Sequence, residues 1–294
     1  MNKTRNTAQK LAVGLSAGAL LGLAIAGLLI TLGLYAAPSG SIDSRTGTGP
    51  AVVELFTSQG CYSCPPAEQL LGELIENDPT LLALEFHVDY WDTLVYGKHG
   101  VHKDPYSDKK NTQRQQSYNQ LKIEGQRGIF TPQIVINGRY ATVGGREKEV
   151  RRGIQVVNRP NVLLNVAHHP EKDTDNKTGL SIQFTSDDAQ TPATAHLWLA
   201  VFDIEKTTEI NTGENHGKTL TSHHIVRQMA QLTDTRGIIQ FITTPGSSSL
   251  EYQVEIKEGQ GCAVLIQDDS LGPIYGASYC PKEIWKPSKS QPLS

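Results

Sequence analysis

The stretch Phe56-Thr57-Ser58-Gln59-Gly60-Cys61-Tyr62-Ser63-Cys64-Pro65-Pro66 decides how this sequence is interpreted. The apolar residues 51–56 precede it and predict a buried strand, and residues 67–75 follow with apolar side chains at helical spacing. A thiol at the start of a helix faces unpaired N–H groups and the positive end of the helix dipole, which favour the thiolate and lower the thiol pKa. We therefore predict a redox pair in which Cys61 is the exposed nucleophile and Cys64 the buried resolving cysteine.

Two other roles are open to the same cysteines. A Cys-x-x-Cys pair also occurs as a static structural disulfide, or as part of a soft metal site for copper or zinc, here Cys61 and Cys64 together with His87. Tyr62 and Ser63, which separate the cysteines, include neither a proline nor a basic residue. The sequence therefore leaves the direction of electron flow open.

The N-terminus predicts export. Residues 1–10 carry three basic side chains, and the uncharged residues 11–35 follow. A membrane-spanning helix needs roughly 17–25 residues, so we expect a signal-anchor helix with its basic flank in the cytoplasm and the folded part in the periplasm, anchored to the inner membrane. A cleaved signal, with small residues at Ala36-Ala37 and a secreted product, is the alternative. Residues 36–49 are predicted to be a flexible linker.

Residues 50–158 are predicted to form an α/β domain. A second buried strand over residues 81–88 would run parallel to the first, because a helix connects the two. Since the carboxyl ends of parallel strands meet at the same end of a sheet, we expect His87, Asp89 and Trp91 close to Cys61. His87, Asp89 and Asp92 are either proton-transfer groups, metal ligands, or a polar strand end that binds neighbouring loops.

Several motifs of the chain resemble a family of exported thioredoxin-like proteins whose function is unknown. The matching stretches are Glu54–Cys61, Ser63–Pro66, His87–Asp92, Arg114-Gln115, Thr131-Pro132-Gln133 and Asn215–Leu220. The resemblance implies a thioredoxin-like fold in which a cis-proline loop, Thr131-Pro132, faces the disulfide and offers backbone groups to a substrate chain. It also implies that Glu54, a buried acid, shuttles the proton of Cys64; the alternative is that its side chain points elsewhere, because Glu54 stands seven residues before Cys61, one more than in thioredoxin. Arg114 either anchors its helix over the active site or is a solvated charge.

Residues 159–281 consist of short alternating apolar segments separated by turn residues, which predicts an all-β sandwich. Cys262 and Cys280 would lie on its last two strands and form a cross-strand structural disulfide. The polar residues 282–294 are predicted to be a disordered tail.

The whole sequence thus predicts an α/β thioredoxin-like domain followed by an all-β sandwich, behind an N-terminal transmembrane helix. A net charge of −3 gives no reason to expect nucleic-acid binding, and no motif calls for a cofactor. The leading hypothesis is a membrane-anchored periplasmic thiol–disulfide oxidoreductase, whose partners are protein thiols and disulfides of the cell envelope. The alternatives are a copper or zinc metallochaperone and a non-enzymatic envelope adaptor with a structural disulfide.

Overall fold

The computed structural model describes residues 47–95, 97–186, 195–232 and 246–285. The α-helices of this part are α1 (Pro65–Asn77), α2 (Lys109–Leu121) and α3 (Glu147–Val156). The first strands are β1 (Ala51–Thr57), β2 (Leu81–His87), β3 (Gln133–Ile136), β4 (Tyr140–Val143), β5 (Leu163–His168) and β6 (Thr178–Ser186). The later strands are β7 (Ala195–Glu209), β8 (Thr219–Gln231), β9 (Gly246–Val254), β10 (Gln260–Asp268) and β11 (Ile274–Tyr279). Short 3₁₀ helices cover Gly97–His99, Pro170–Lys172 and Lys282–Ile284.

One mixed sheet contains strands from both halves of the chain. Its order is β11-β10-β7-β8-β2-β1-β3-β4, while β5, β6 and β9 form a second, three-stranded sheet. The junction is the parallel pairing of β2 with β8, in register at Glu85 and Ile225. The prediction of a thioredoxin-like α/β domain followed by a separate β-sandwich is therefore wrong: the architecture is dominated by an eight-stranded mixed sheet that both halves build.

Strand β1 is buried on both faces because helices cover both. Val53 and Leu55 pack with Leu71 of α1 and with α3, whereas Val52 and Phe56 pack on the other face with Tyr118 of α2. A strand enclosed in this way has an almost continuous apolar sequence, which is why Ala51–Thr57 carries so few polar residues. The side chain of Glu54 points to the opposite face from that of Leu55, which is the face covered by α2.

The second core lies between the two sheets. Leu180, Ile182 and Phe184 of β6 pack against Leu199 of β7 and Val264 of β10. A disulfide joins Cys262 of β10 to Cys280, which follows β11, and this pairing confirms the prediction from sequence.

The hairpin of β7 and β8 is the longest pair in the sheet, with 15 and 13 residues. Its outermost pairs, such as Thr208 with Leu220, extend beyond the part of β7 that pairs with β10. The turn at its tip, residues 210–218, consequently reaches back to the segment that carries Cys61.

The predicted anchor helix over residues 11–35 lies outside the described residues. In the ranges that are described, no helix is both long and apolar enough to cross a membrane. Part of the predicted disordered tail is instead ordered: Ile284 is buried, and the indole Nε1 of Trp285 donates to the carbonyl of Cys280 at 3.1 Å. The rest of that tail, residues 286–294, is outside the described part.

Candidate functional site

A disulfide between Cys61 and Cys64 closes the turn that leads into α1. Cys64 is the N-cap residue and Pro65 the first helical residue, a position that requires no N–H donor. The helix continues directly, because the amide of Ala67 donates to the carbonyl of Cys64 at 2.8 Å. Both cysteines are fully buried, so the expected exposure of Cys61 is wrong, and only the intervening Tyr62 and Ser63 face solvent.

The Thr131-Pro132 peptide bond is cis and lies beside the first turn of α1. The indole Nε1 of Trp91 donates to Thr131 Oγ1 at 2.7 Å, and the amide of Gly144 donates to the carbonyl of Pro132 at 2.9 Å. A Cβ at Gly144 would lie 2.9 Å from the Cβ of Ala67 and 3.2 Å from that of Pro132. A glycine is therefore what allows the proline loop to approach α1 closely.

His87 is buried between two carboxylates. Its Nδ1 lies 2.6 Å from Asp104 Oδ2, and its Nε2 lies 2.8 Å from Glu85 Oε1. Burial lowers the pKa of the imidazole, but Asp104 and Glu85 outweigh this effect and raise the pKa well above its usual value. Conversely, burial raises the pKa of Asp104, whereas the charge of His87 and hydrogen bonds hold that pKa below its usual value.

Asp104 connects this network to the cysteine segment. The same Oδ2 atom that faces His87 accepts from the amide of Gln59, two residues before Cys61, at 2.8 Å. Glu85 Oε2 accepts from the amide of His223 on β8 at 2.9 Å. His87 is thus connected through Asp104 to the backbone two residues before Cys61, and through Glu85 to β8.

Glu68 is a further buried acid, on the helix that begins at Cys64. It lies four residues after Cys64 on α1, which is one helical turn, and its Oε1 accepts from Thr57 Oγ1 at 2.7 Å. Burial and the neighbouring charge of Glu85 raise the pKa of Glu68 to about 8. Sequence reasoning missed this residue, although its spacing of three from Leu71 places it on the buried face of the helix.

Glu54 and Arg114 meet each other on the α2 face of β1. Arg114 Nε donates to Glu54 Oε1 at 2.6 Å, and Tyr118 Oη donates to the other carboxylate oxygen. Arg114 Nη2 also donates to Gln267 Oε1 at 2.8 Å. The prediction that Glu54 shuttles protons for Cys64 is therefore wrong, because its carboxylate is held in an ion pair on the side of the sheet away from α1.

The remaining polar side chains of this region shape loops. Asp89 Oδ1 accepts from Thr112 Oγ1 at 2.5 Å, and Asp92 Oδ2 accepts from Ser107 Oγ at 2.6 Å. These bonds attach the chain after β2 to the segment around α2. They fit the prediction of a polar strand end that binds neighbouring loops.

The turn between β7 and β8 contacts the cysteine segment directly. Asn215 Nδ2 donates to the carbonyls of Gln59 and Cys61, both at 2.9 Å. The amide of Tyr62 donates to Glu214 Oε2 at 3.0 Å. The motif Asn215–Leu220, noted in the sequence, therefore contributes to the site, although Asn215 lies 154 residues after Cys61.

A metal site with Cys61, Cys64 and His87 does not fit this arrangement. Both ring nitrogens of His87 face carboxylate oxygens, and the two cysteines are bonded to each other. Across the described ranges, no group of three or more His, Cys, Asp or Glu side chains is arranged to hold a metal ion.

Comparisons with known proteins identify a family of unknown function and solved structures with a similar fold. A family profile described as "Protein of unknown function (DUF1223)" matches residues 52–267. A crystal structure of an Agrobacterium tumefaciens protein, solved by a structural genomics consortium, is similar with a TM-score of 0.59 and 25% identity, covering 85% of this chain and 99% of that one. HBP35 of Porphyromonas gingivalis shares the fold with a TM-score of 0.54 at 14% identity, covering 85% and 81%. The comparison with curated proteins gives no match.

Proposed function

The chain belongs to the DUF1223 family of proteins of unknown function, and on the basis of its own site we propose that it is a thiol–disulfide oxidoreductase acting on protein thiols outside the cytoplasm. The observation that carries the proposal is the Cys61–Cys64 disulfide at the N-terminus of α1. Pro65 and Pro66 carry no N–H group and the amides of Ala67 and Glu68 donate to the carbonyl of Cys64, so it is the positive end of the helix dipole that would stabilise a thiolate here and make the cysteine both a good nucleophile and a good leaving group. Two disulfides and the apolar N-terminal segment support a location where disulfides persist.

The exchange would proceed in two displacements. A thiolate of the partner attacks Cys61 Sγ, which forms a mixed disulfide and breaks the Cys61–Cys64 bond, so that Cys64 leaves as a thiolate. A second thiolate of the partner then attacks the partner's sulfur in the mixed disulfide and releases Cys61 as a thiolate. The partner's dithiol is oxidised to a disulfide and the cysteine pair is reduced; the reverse sequence oxidises the pair.

Glu68 supports this chemistry by its position and its protonation state. When the Cys61–Cys64 bond breaks, the departing thiolate of Cys64 is in a buried place where negative charge is costly. Glu68, one turn further along α1 with a pKa of about 8, is protonated at neutral pH and would donate its proton to Cys64. On reoxidation Cys64 returns the proton, so the carboxyl group regains its starting form.

Trapping of mixed disulfides tests the proposal. We expect Cys64→Ala to accumulate mixed disulfides through Cys61, because no resolving thiol is left, and Cys61→Ala to accumulate none. Insulin reduction measured on the same proteins should be lost in both variants and kept in the Cys262→Ala/Cys280→Ala control. If Cys61→Ala leaves both trapping and insulin reduction at the level of the wild type, the proposal is wrong.

One observation favours a second candidate, a non-enzymatic envelope adaptor in which the disulfide is structural. Both cysteines are completely buried beneath the turn that holds Asn215. A structural disulfide has a reduction potential below about −300 mV, whereas catalytic disulfides are less reducing. Equilibration of the Cys61–Cys64 pair with glutathione distinguishes the two: a pair that stays oxidised in excess reduced glutathione indicates the adaptor.

A further inference from the structure

We infer that the turn Glu214-Asn215-His216-Gly217-Lys218, the cap, closes over the Cys61–Cys64 disulfide and must move before a partner's thiol can attack Cys61. The inference rests on the proposed function, in which Cys61 is the sulfur under attack. Cys61 and Cys64 are both fully buried, although Tyr62 between them is 64% exposed. The chain around the disulfide is therefore at the surface, while the sulfur atoms themselves are shielded.

Asn215 attaches the cap to the backbone on the N-terminal side of the disulfide. Its side chain is fully buried, and Nδ2 donates to the carbonyl oxygens of Gln59 and Cys61 at 2.9 Å each. Its Oδ1 accepts from Lys218 Nζ, also at 2.9 Å, so the amide group has partners on both sides. A buried side-chain amide with all of these contacts fixes one orientation of the cap over Cys61.

Glu214 and Lys218 hold Tyr62, the first of the two residues between the cysteines. Glu214 Oε2 accepts from the amide of Tyr62 at 3.0 Å, and Lys218 Nζ lies 4.1 Å from the centre of the Tyr62 ring. An ammonium group at this distance from an aromatic face is attracted to it. The cap thus contacts Tyr62 both at its amide, through Glu214, and at its ring, through Lys218.

The position of the cap in the hairpin allows it to open. The cap lies beyond the outermost residue pair of β7 with β8, so a movement of the cap breaks no bond between β8 and β2. Gly213 and Gly217 have φ values of 74° and 82°, a region that favours glycine, and they flank the Asn215 contact. Outside the cysteine segment the cap region rests on residues 97–102, where the rings of His99 and His216 stack with centroids 3.9 Å apart.

An open cap would therefore make Cys61 accessible without unfolding the sheet. Asn215 is a positioning residue in this scheme, because it acts through the backbone of Gln59 and Cys61 and touches no reacting atom. Its loss should raise the rate at which the sulfur atoms are reached. The loss of Asn215 should accelerate reduction and reoxidation equally, because the cap covers Cys61 in both reactions.

The test measures how fast tris(2-carboxyethyl)phosphine reduces the Cys61–Cys64 bond in the folded full chain. Samples are alkylated at intervals and the two cysteine pairs are followed separately by mass spectrometry, so that Cys262–Cys280 reports on general unfolding. We expect Asn215→Ala to accelerate reduction of Cys61–Cys64 about tenfold, because two hydrogen bonds that hold the cap are lost, and Glu214→Ala about threefold. Asn211→Ala, an exposed asparagine of the same hairpin, is the matched control and should react at the rate of the wild type.

The expected signature is equal acceleration of reduction and of reoxidation by oxidised glutathione, with an unchanged reduction potential. Rates equal to the wild type in folded Asn215→Ala overturn the inference, as does an accelerated reduction that a shifted potential alone explains. If Asn215→Ala does not fold, Glu214→Ala decides in the same way, because Glu214 is only partly buried and contributes one hydrogen bond. If reduction by the phosphine is faster but no exchange with insulin occurs, the inference about the cap is supported and the proposed function is refuted.

Discussion

The guanidinium of Arg114 and the carboxylate of Glu54 form a buried ion pair, with 2.6 Å between Nε and Oε1. Glu54 is fully buried and Arg114 is 6% exposed, so neither charge has water to compensate for the loss of the other. Removing one partner of such a pair is costly, whereas replacing both by apolar side chains of similar volume is much less so. The pair therefore contributes to the stability of the sheet as a unit.

We accordingly expect Arg114→Met to lower the free energy of unfolding by about 3–5 kcal/mol, because it leaves the charge of Glu54 unpaired. The free energy of unfolding of the double variant Glu54→Met/Arg114→Met should fall by less than that of Arg114→Met alone. Urea unfolding of the single and double variants measures both values. A double variant that is less stable than Arg114→Met would contradict the view that the two charges stabilise the sheet as a unit.

The raised pKa of Glu68 predicts a dependence of stability on pH. Glu68 has a pKa of about 8 in the folded chain against a usual value of 4.5, so between these values the folded state holds a proton that the unfolded state has lost. The contribution of Glu68 to the free energy of unfolding should therefore fall as pH rises from about 5, by an amount on the order of a few kcal/mol by pH 8.

Glu68→Gln should remove much of this fall, and the difference in slope between this variant and the wild type from pH 5 to 6.5 isolates the effect, because His224, whose pKa burial lowers to about 4, adds the same opposite slope to both proteins. The raised pKa of His87 stabilises the fold fully below the usual value of 6.5, so His87 is protonated in both states there and adds little slope. Urea unfolding at pH 5 and at pH 6.5 measures the change in the free energy of unfolding. Glu76→Gln, on the exposed side of α1, is the control. An equal slope in Glu68→Gln and the wild type would contradict a protonated Glu68.

The two disulfides should differ in their contribution to stability. The Cys262–Cys280 bond spans 18 residues and the Cys61–Cys64 bond spans 3. Because the entropy that a crosslink removes from the unfolded chain increases with loop length, Cys262→Ala/Cys280→Ala should lose about 3 kcal/mol and Cys61→Ala/Cys64→Ala about 1.5 kcal/mol. Urea unfolding under oxidising conditions compares them, and the reverse order would refute this reasoning.

Gly144 and Gly145 form a matched pair for testing the contact between the proline loop and α1. A Cβ at Gly144 would approach the Cβ of Ala67 to 2.9 Å, whereas a Cβ at Gly145 meets nothing within 4 Å. Gly144→Ala should cost about 1–3 kcal/mol, the usual penalty for overpacking, and Gly145→Ala should be nearly neutral. Thermal unfolding of both variants checks this. Equal melting temperatures would show that the two segments are not in close contact.

The sequence predicts the parts of the fold that depend on neighbouring residues. The spacing of apolar residues identifies β1 and α1, and Asn137-Gly138 predicts the turn that joins β3 to β4. Cys64 and Pro65 at the start of α1 follow from the same local reasoning. In each of these cases the physical cause lies within a few residues of the feature it explains.

What the sequence does not reveal depends on contacts between distant segments. The pairing of β8 with β2 joins residues about 140 apart, Glu85 and Ile225, and a strand's own pattern carries no record of its partner. For the same reason Glu54 is a plausible proton carrier until Arg114 is found beside it. Asn215 is conspicuous only as a motif, because its target is the backbone of Gln59 and Cys61, which a sequence pattern does not display.

The shared sheet has a consequence for any truncation of this protein. A fragment that ends at residue 158 would retain Cys61, Cys64, α1 and the cis-proline, and it would look complete by its motifs. It would nevertheless lack β8, which leaves the outer side of β2 as an unprotected edge strand with free N–H and C=O groups. Such edges pair with other chains, so the fragment is expected to aggregate. The smallest unit that we expect to stay soluble with the Cys61–Cys64 pair therefore has to include the hairpin of β7 and β8.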